Sequence, residues 1–151
     1  MDYNLILIKQ RLSEVNLYEN VAISFLQTAQ WLNSEVSRQL EPLDLTAQQL
    51  KILHIVYKST DKQATVNEIK AQMLDPMSNV SRLLNKLMDK KLIIKVRNQQ
   101  DQRLVYIQNT KLGVELMCTG KKLMDEAFLP MDKLNTEELE LFSQLISKIR
   151  L

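Results

Sequence analysis

The chain has 151 residues, 45% of them hydrophobic, which is enough for one domain with its own core. Its only glycines, Gly113 and Gly120, exclude a phosphate-binding glycine loop and a dinucleotide fingerprint, and a single histidine with a single cysteine excludes a Cys/His zinc centre. The net charge is only +2, yet the cations are concentrated in one stretch of the chain.

In chain order, Leu5, Ile8, Leu12 and Val15 share a helical face and predict a short first helix. The apolar run Leu5–Ile8 is too short to span a membrane, and Asp2, Lys9 and Arg11 around it do not make a signal peptide, so a cytoplasmic protein is expected. A long helix follows from Leu17 to about Leu40. There Tyr18, Ala22, Phe25, Ala29, Leu32 and Val36 recur at spacings of four and three, a heptad-like seam, and Val21, Leu26 and Trp31 widen it. Such a seam suits either a core or a dimer interface. Thr46-Ala47-Gln48-Gln49 has capping-box spacing and opens a helix to about Lys58, with Leu50, Leu53 and Tyr57 as its apolar stripe. His54 lies beside that stripe and reads as a hydrogen-bonded interior residue. It has no companion that would make a base and nucleophile pair, so no enzymatic activity, cofactor or metal is expected.

Thr65-Val66-Asn67-Glu68 is a second capping box, and Ile69, Met73 and Leu74 give the following short helix an apolar side. Asp75-Pro76 then predicts a new helix from about Pro76 to Lys90, since Asp caps and Pro suits the first helical position. Its apolar face is Met77, Val80, Leu83, Leu84 and Leu87. The opposite face is Ser78, Asn79, Ser81, Arg82, Asn85 and Lys86, with no acid until Asp89. Two strand-like runs follow, Ile93–Arg97 and Leu104–Ile107, joined by the polar segment Asn98–Gln102. From Arg82 to Lys111 there are eight cations against two acids, whereas the whole chain carries only +2. So basic a module in a nearly neutral chain is the footprint of a polyanionic partner.

After the hairpin, a helix is expected from Thr110 to about Phe128, interrupted at Pro130. Asn135 and Glu138 cap a last helix with Leu139, Phe142, Leu145, Ile146 and Ile149 as its apolar side. Cys118 is the only cysteine, so no intrachain disulfide forms, and its neighbours Val114 and Met117 suggest that it packs inside.

The order helix, turn, helix, basic hairpin resembles the MarR family of bacterial winged helix-turn-helix regulators. The similarity is carried by DQRLVYIQNTKLG at the wing, by VSRLLNKLMDKKLI at the recognition helix and strand, and by LDLTAQQLKIL at the start of the second helix. It extends from about Leu17 to the last helix. It implies a mainly α fold with a small β-hairpin wing, in which 46–109 form the DNA-binding region and 1–45 with 110–151 form dimerisation helices of a single domain. By the same resemblance, Arg103 corresponds to the wing arginine that enters the minor groove and Asp101 to the acid that orients its guanidinium. A narrow minor groove does concentrate negative potential that attracts arginine. The sequence departs from the family pattern at Lys91 and Asp44, where glycine is usual, and at Leu104, where a small polar residue is usual.

Duplex DNA is therefore the expected partner. Ser78, Asn79, Ser81 and Arg82 would face base edges and, with Asn85 and Lys86, line the groove. Lys90, Lys91, Lys95 and Arg97 are placed for phosphates. A homodimer is expected through Phe25, Leu32, Phe142, Leu145 and Ile149, and the resemblance implies a repressor released by a small aromatic or phenolic effector. The alternative is a winged-helix assembly module whose basic face binds an acidic protein.

Overall fold

The computed structural model describes residues 3–73, 79–98 and 104–149, with side chains from residue 16 onward. Its contacts divide the chain into two compact units, residues 1–35 and 36–151.

The first unit is helical. Helix α1 runs unbroken over Tyr3–Leu40, so the separate short helix expected at its start is part of one long helix. The reason is in the sequence: neither Pro nor Gly occurs before Pro42 to stop it. Along α1, Leu17, Tyr18, Val21, Ile23, Phe25, Leu26 and Trp31 are exposed, while Ala29 and Leu32 are half-buried.

The second unit begins with the last turn of that helix, whose Val36 and Leu40 are buried in its core. Val36 therefore belongs to the core rather than to the exposed seam. A 3-10 turn at Glu41–Leu43 leads to α2 (Ala47–Lys58). Thr46 caps α2: its hydroxyl accepts from the Gln49 N–H at 3.2 Å, and its own N–H donates to Gln49 Oε1 at 3.1 Å. Strand β1 (Gln63–Thr65) runs directly into α3 (Val66–Gln72). The Thr65–Glu68 capping box closes there as expected, and those hydrogen bonds hold the Glu68 carboxyl below its usual range. Helix α4 spans Val80–Asp89. Strands β2 (Ile93–Arg97) and β3 (Val105–Asn109) follow, then α5 (Lys111–Phe128), a 3-10 turn through Pro130, and α6 (Thr136–Ile149).

The sheet is antiparallel with order β1-β3-β2, and the register sets Ala64 and Lys95 opposite Ile107. The core gathers Ile52, Leu53 and Val56 of α2, Ile69 of α3, Val80, Leu84 and Leu87 of α4, and Leu92, Ile93 and Ile107 around the hairpin. Helix α5 leaves the sheet through Thr110, whose hydroxyl accepts from the Gly113 N–H at 3.0 Å and donates to the Lys91 carbonyl at 2.8 Å. Gly113 has to be glycine, because a Cβ there would collide with the Leu92 carbonyl.

Candidate nucleic-acid interface

Helix α4 forms because its apolar residues repeat on one side. Val80, Leu84 and Leu87 are buried and Leu83 packs against the core. The opposite side, Ser81, Arg82, Asn85 and Lys86, is exposed throughout. The helix starts later than the sequence suggests. Asn79 is its N-cap, with φ −75° and ψ 78°, and its Oδ1 accepts from the Arg82 N–H at 3.0 Å. A residue committed to capping is not helical, so the helix begins at Val80 and not at Pro76. Asp75, Pro76, Met77 and Ser78 lie outside the described residues. Asn79 is exposed, and its carbonyl oxygen is occupied by the cap while its amide N–H groups remain donors.

The far end of α4 closes with two hydrogen bonds. The Lys91 N–H donates to the Met88 carbonyl at 2.8 Å and the Leu92 N–H to the Leu87 carbonyl at 2.9 Å. This is the doubly bonded cap that usually carries glycine. Lys91 adopts the left-handed conformation instead, at φ 59°, with its side chain exposed. Asp44, before α2, is also left-handed, at φ 50°.

On the hairpin, Lys95 and Arg97 are exposed on β2, and the Asn98 N–H donates to the Leu104 carbonyl at 2.9 Å to close the pair. Asp101 and Arg103 lie outside the described residues. Thus Arg82, Lys86, Lys91, Lys95 and Arg97 are exposed cations of one module, with Asp89 as the exposed acid on α4. Lys90 does not join them as a free cation. Its ammonium donates to Asp44 Oδ2 at 2.9 Å and to the Asp44 main-chain carbonyl. Sequence reasoning had no signal for this bond, because its partners lie 46 residues apart.

Elsewhere in the second unit, a cavity of about 210 Å³ opens between α2 and α5. Leu50, Met117, Met124 and Phe128 give it an apolar lining, and Lys51, His54, Lys121 and Asp125 supply the charged or titratable groups, with Lys121 and Asp125 paired at 3.4 Å. His54 is therefore a half-buried cavity residue and not an interior one. Burial first, then the charges of Lys51, Lys58 and Lys121, lower its pKa below the usual histidine value. Cys118 is exposed, contrary to expectation. It follows the buried Met117 by one residue, a turn of about 100° that carries it to the outer face of α5.

The apolar residues expected at a dimer interface are largely uncovered within the subunit. Phe25 is 45% exposed, Phe142 37%, Leu145 49% and Ile149 75%, and none of the residues of α6 is buried. Leu32 is half-buried.

Residues 35–119 match the family described as transcriptional regulator SarA/Rot, which is more than half of the chain. The chain belongs to the SarA/Rot family. The matched segment runs from the end of α1 into α5 and so contains the whole helix, turn, helix and hairpin arrangement. Solved structures agree on the fold. AbsC, a MarR family transcriptional regulator from Streptomyces coelicolor, superposes with a TM-score of 0.75 at 18% identity, over 87% of this chain and 90% of AbsC. The organohalide-sensing regulator RdhR in its 2,4-dichlorophenol-bound form gives 0.75 at 18% identity, over 89% of this chain and 79% of RdhR. A point mutant of MepR from S. aureus, bound to an oligodeoxyribonucleotide, gives 0.57 at 28% identity, over 85% of this chain and 94% of MepR. No curated protein matches the chain at a significant level.

The MarR-like winged-helix fold read from the sequence is thus the fold of this SarA/Rot protein, with β1 added to the hairpin as a third strand. The family and its structural neighbours are transcriptional regulators. No helix among the described residues is long and apolar enough to cross a membrane.

Proposed function

We propose that this SarA/Rot protein represses transcription as a cytoplasmic homodimer that reads duplex DNA, with 46–109 as the reading region and the flanking 1–45 and 110–151 as dimerisation segments. The observation that carries this reading is the outer side of α4, which is wholly exposed, short or basic in its side chains, and set on a module rich in cations. Asn79, Ser81, Arg82, Asn85 and Lys86, with Ser78 before them, meet the major groove. Lys91, Lys95 and Arg97 hold phosphates, and Arg103, oriented by Asp101, reaches the minor groove. The uncovered apolar sides of α6 and of the first unit support a second copy as their cover.

The α2–α5 cavity suits a small aromatic or phenolic ligand: its lining is largely apolar for the ring, and Lys51 attracts a phenolate, while Lys121 is already paired with Asp125 at 3.4 Å. That RdhR is known in a dichlorophenol-bound form supports such an effector.

The roles separate in a salt series. Arg82→Ala should lower operator affinity by about 1–3 kcal/mol, the worth of a bidentate base contact, and leave random duplex nearly unaffected. Lys95→Ala should weaken both alike and flatten the salt dependence. Equal loss on both duplexes for Arg82→Ala would make Arg82 a phosphate clamp. If neither substitution affects DNA, an acidic protein partner becomes the better account.

A further inference from the structure

Asp44 and Lys91 are both left-handed, at φ 50° and 59°, and they meet at one bond, Asp44 as its acceptor and Lys91 next to its donor. Lys90, the C-cap residue that follows α4, sits beside Lys91, and its ammonium binds both the carboxylate and the main-chain carbonyl of Asp44. Glycine would take the left-handed conformation at residue 44 without strain. An aspartate held at φ 50° is strained, and such an outlier is grounds for seeking a role for its side chain. The side chain has one: it reaches across to the end of α4. The Asp44 side chain is 89% exposed and the Lys90 side chain only 28%, so the lysine lies along the protein and its ammonium is turned to the junction between α1 and α2.

Just beyond the C-terminal end of α4, the Thr110 hydroxyl donates to the Lys91 carbonyl at 2.8 Å and the Thr110 N–H to the Leu92 carbonyl at 3.0 Å, which ties the chain to the start of α5. Along the helix itself, Val80, Leu84 and Leu87 press α4 onto the core by apolar contact, which is non-directional and leaves the helix some freedom to roll or tilt. A charged hydrogen bond with two acceptors is directional. Helix α4 is 10 residues, or about 15 Å, long. A tilt that moves its C-terminal end by about 1 Å moves the capped end, where Asn79 and Arg82 lie, by a similar amount, well outside hydrogen-bond tolerance to a base edge.

We propose that Asp44 and Lys90 form a positioning latch that fixes the pitch of α4 in the groove. Neither residue touches DNA, and the latch acts through Arg82 and its neighbours. This inference rests on the DNA-reading role given above. It also removes Lys90 from the phosphate contacts, because Asp44 already neutralises it.

The experiment compares Asp44→Gly, Lys90→Met, the double variant and the charge swap Asp44→Lys with Lys90→Asp. Operator and random-duplex affinities are measured over a salt series, with melting temperatures alongside. Asp44→Gly relieves the backbone strain, so folding should survive it. Each single variant should bind operator about tenfold more weakly, the size of one good base contact, with random-duplex affinity and salt slope unchanged. The double variant should be no weaker than either single one, and the swap should recover most of the loss. The latch is overturned if Lys90→Met weakens both duplexes and lowers the salt slope while Asp44→Gly strengthens both. Lys90 would then be a phosphate contact that Asp44 competes for. It is also overturned if the single variants bind operator as wild type does, or if their losses simply add and the swap recovers nothing. Failure of the wild-type protein to bind any duplex would instead overturn the DNA-reading role beneath it.

Discussion

Replacing Lys91 with glycine should stabilise the fold and weaken DNA binding at the same time. Lys91 occupies the left-handed position after α4 at φ 59°, where its N–H and that of Leu92 close the helix. The left-handed conformation costs an L-residue with a Cβ roughly 1–2 kcal/mol. Glycine avoids that strain but gives back roughly 0.5–1 kcal/mol through the greater freedom of its unfolded chain. The exposed Lys91 side chain has little packing to lose. The net gain then spans roughly 0–1.5 kcal/mol with a middle value of about 0.75, or about 1.5–3 °C in melting temperature at that middle value for a chain of this size. Urea and thermal unfolding, both at one fixed subunit concentration because a dimer's stability depends on it, measure the change. A variant less stable than wild type would refute the strain argument and show that the Lys91 side chain has a structural partner. A variant more stable but unaltered in duplex affinity would remove Lys91 from the interface while leaving the strain argument intact.

His54 should make stability depend on pH. Its folded pKa lies below 6.5, so between that value and 6.5 the unfolded chain binds more protons than the folded one. Stability should therefore fall as pH drops through 6.5 towards the folded value, and His54→Gln should remove that part of the slope in denaturation series at several pH values. A slope unchanged by the substitution would assign the dependence to other groups. Arg103→Ala should weaken operator binding while leaving melting and sedimentation nearly unchanged, since a surface cation of the kind the sequence places at a wing contributes little to folding. Undiminished binding would take Arg103 out of the minor groove.

Much of the fold was legible because its signals are local. The three capping boxes at Thr46, Thr65 and Asn135 need only residues three apart, and each closes with reciprocal hydrogen bonds. The buried face of α4 follows from helical periodicity, and β2 spans Ile93–Arg97, the strand-like run read from the sequence. The misses are non-local or compete with another local signal. Strand β1 is three residues long and exists only because β3 pairs with it. Asp75-Pro76 is a strong local start signal, but the residue that caps α4 is Asn79, which the sequence shows only as part of the polar face. The exposed outer side of α4 was legible as a pattern of residue types. The Asp44–Lys90 bond was not, because the fold alone brings residues 46 apart into contact. Likewise the sequence marks Lys91 as unusual, but only the backbone shows that it accepts the strain.

The most direct test of the whole account is recovery of bound sequences from a pool of random duplexes, using the full chain. A homodimer with one reading helix per subunit should enrich an inverted repeat whose half-sites lie about 34–36 Å apart, one helical turn. Recovery of no preferred sequence, or of a single half-site without a symmetric mate, would contradict the paired, sequence-reading arrangement proposed for α4 and the wing.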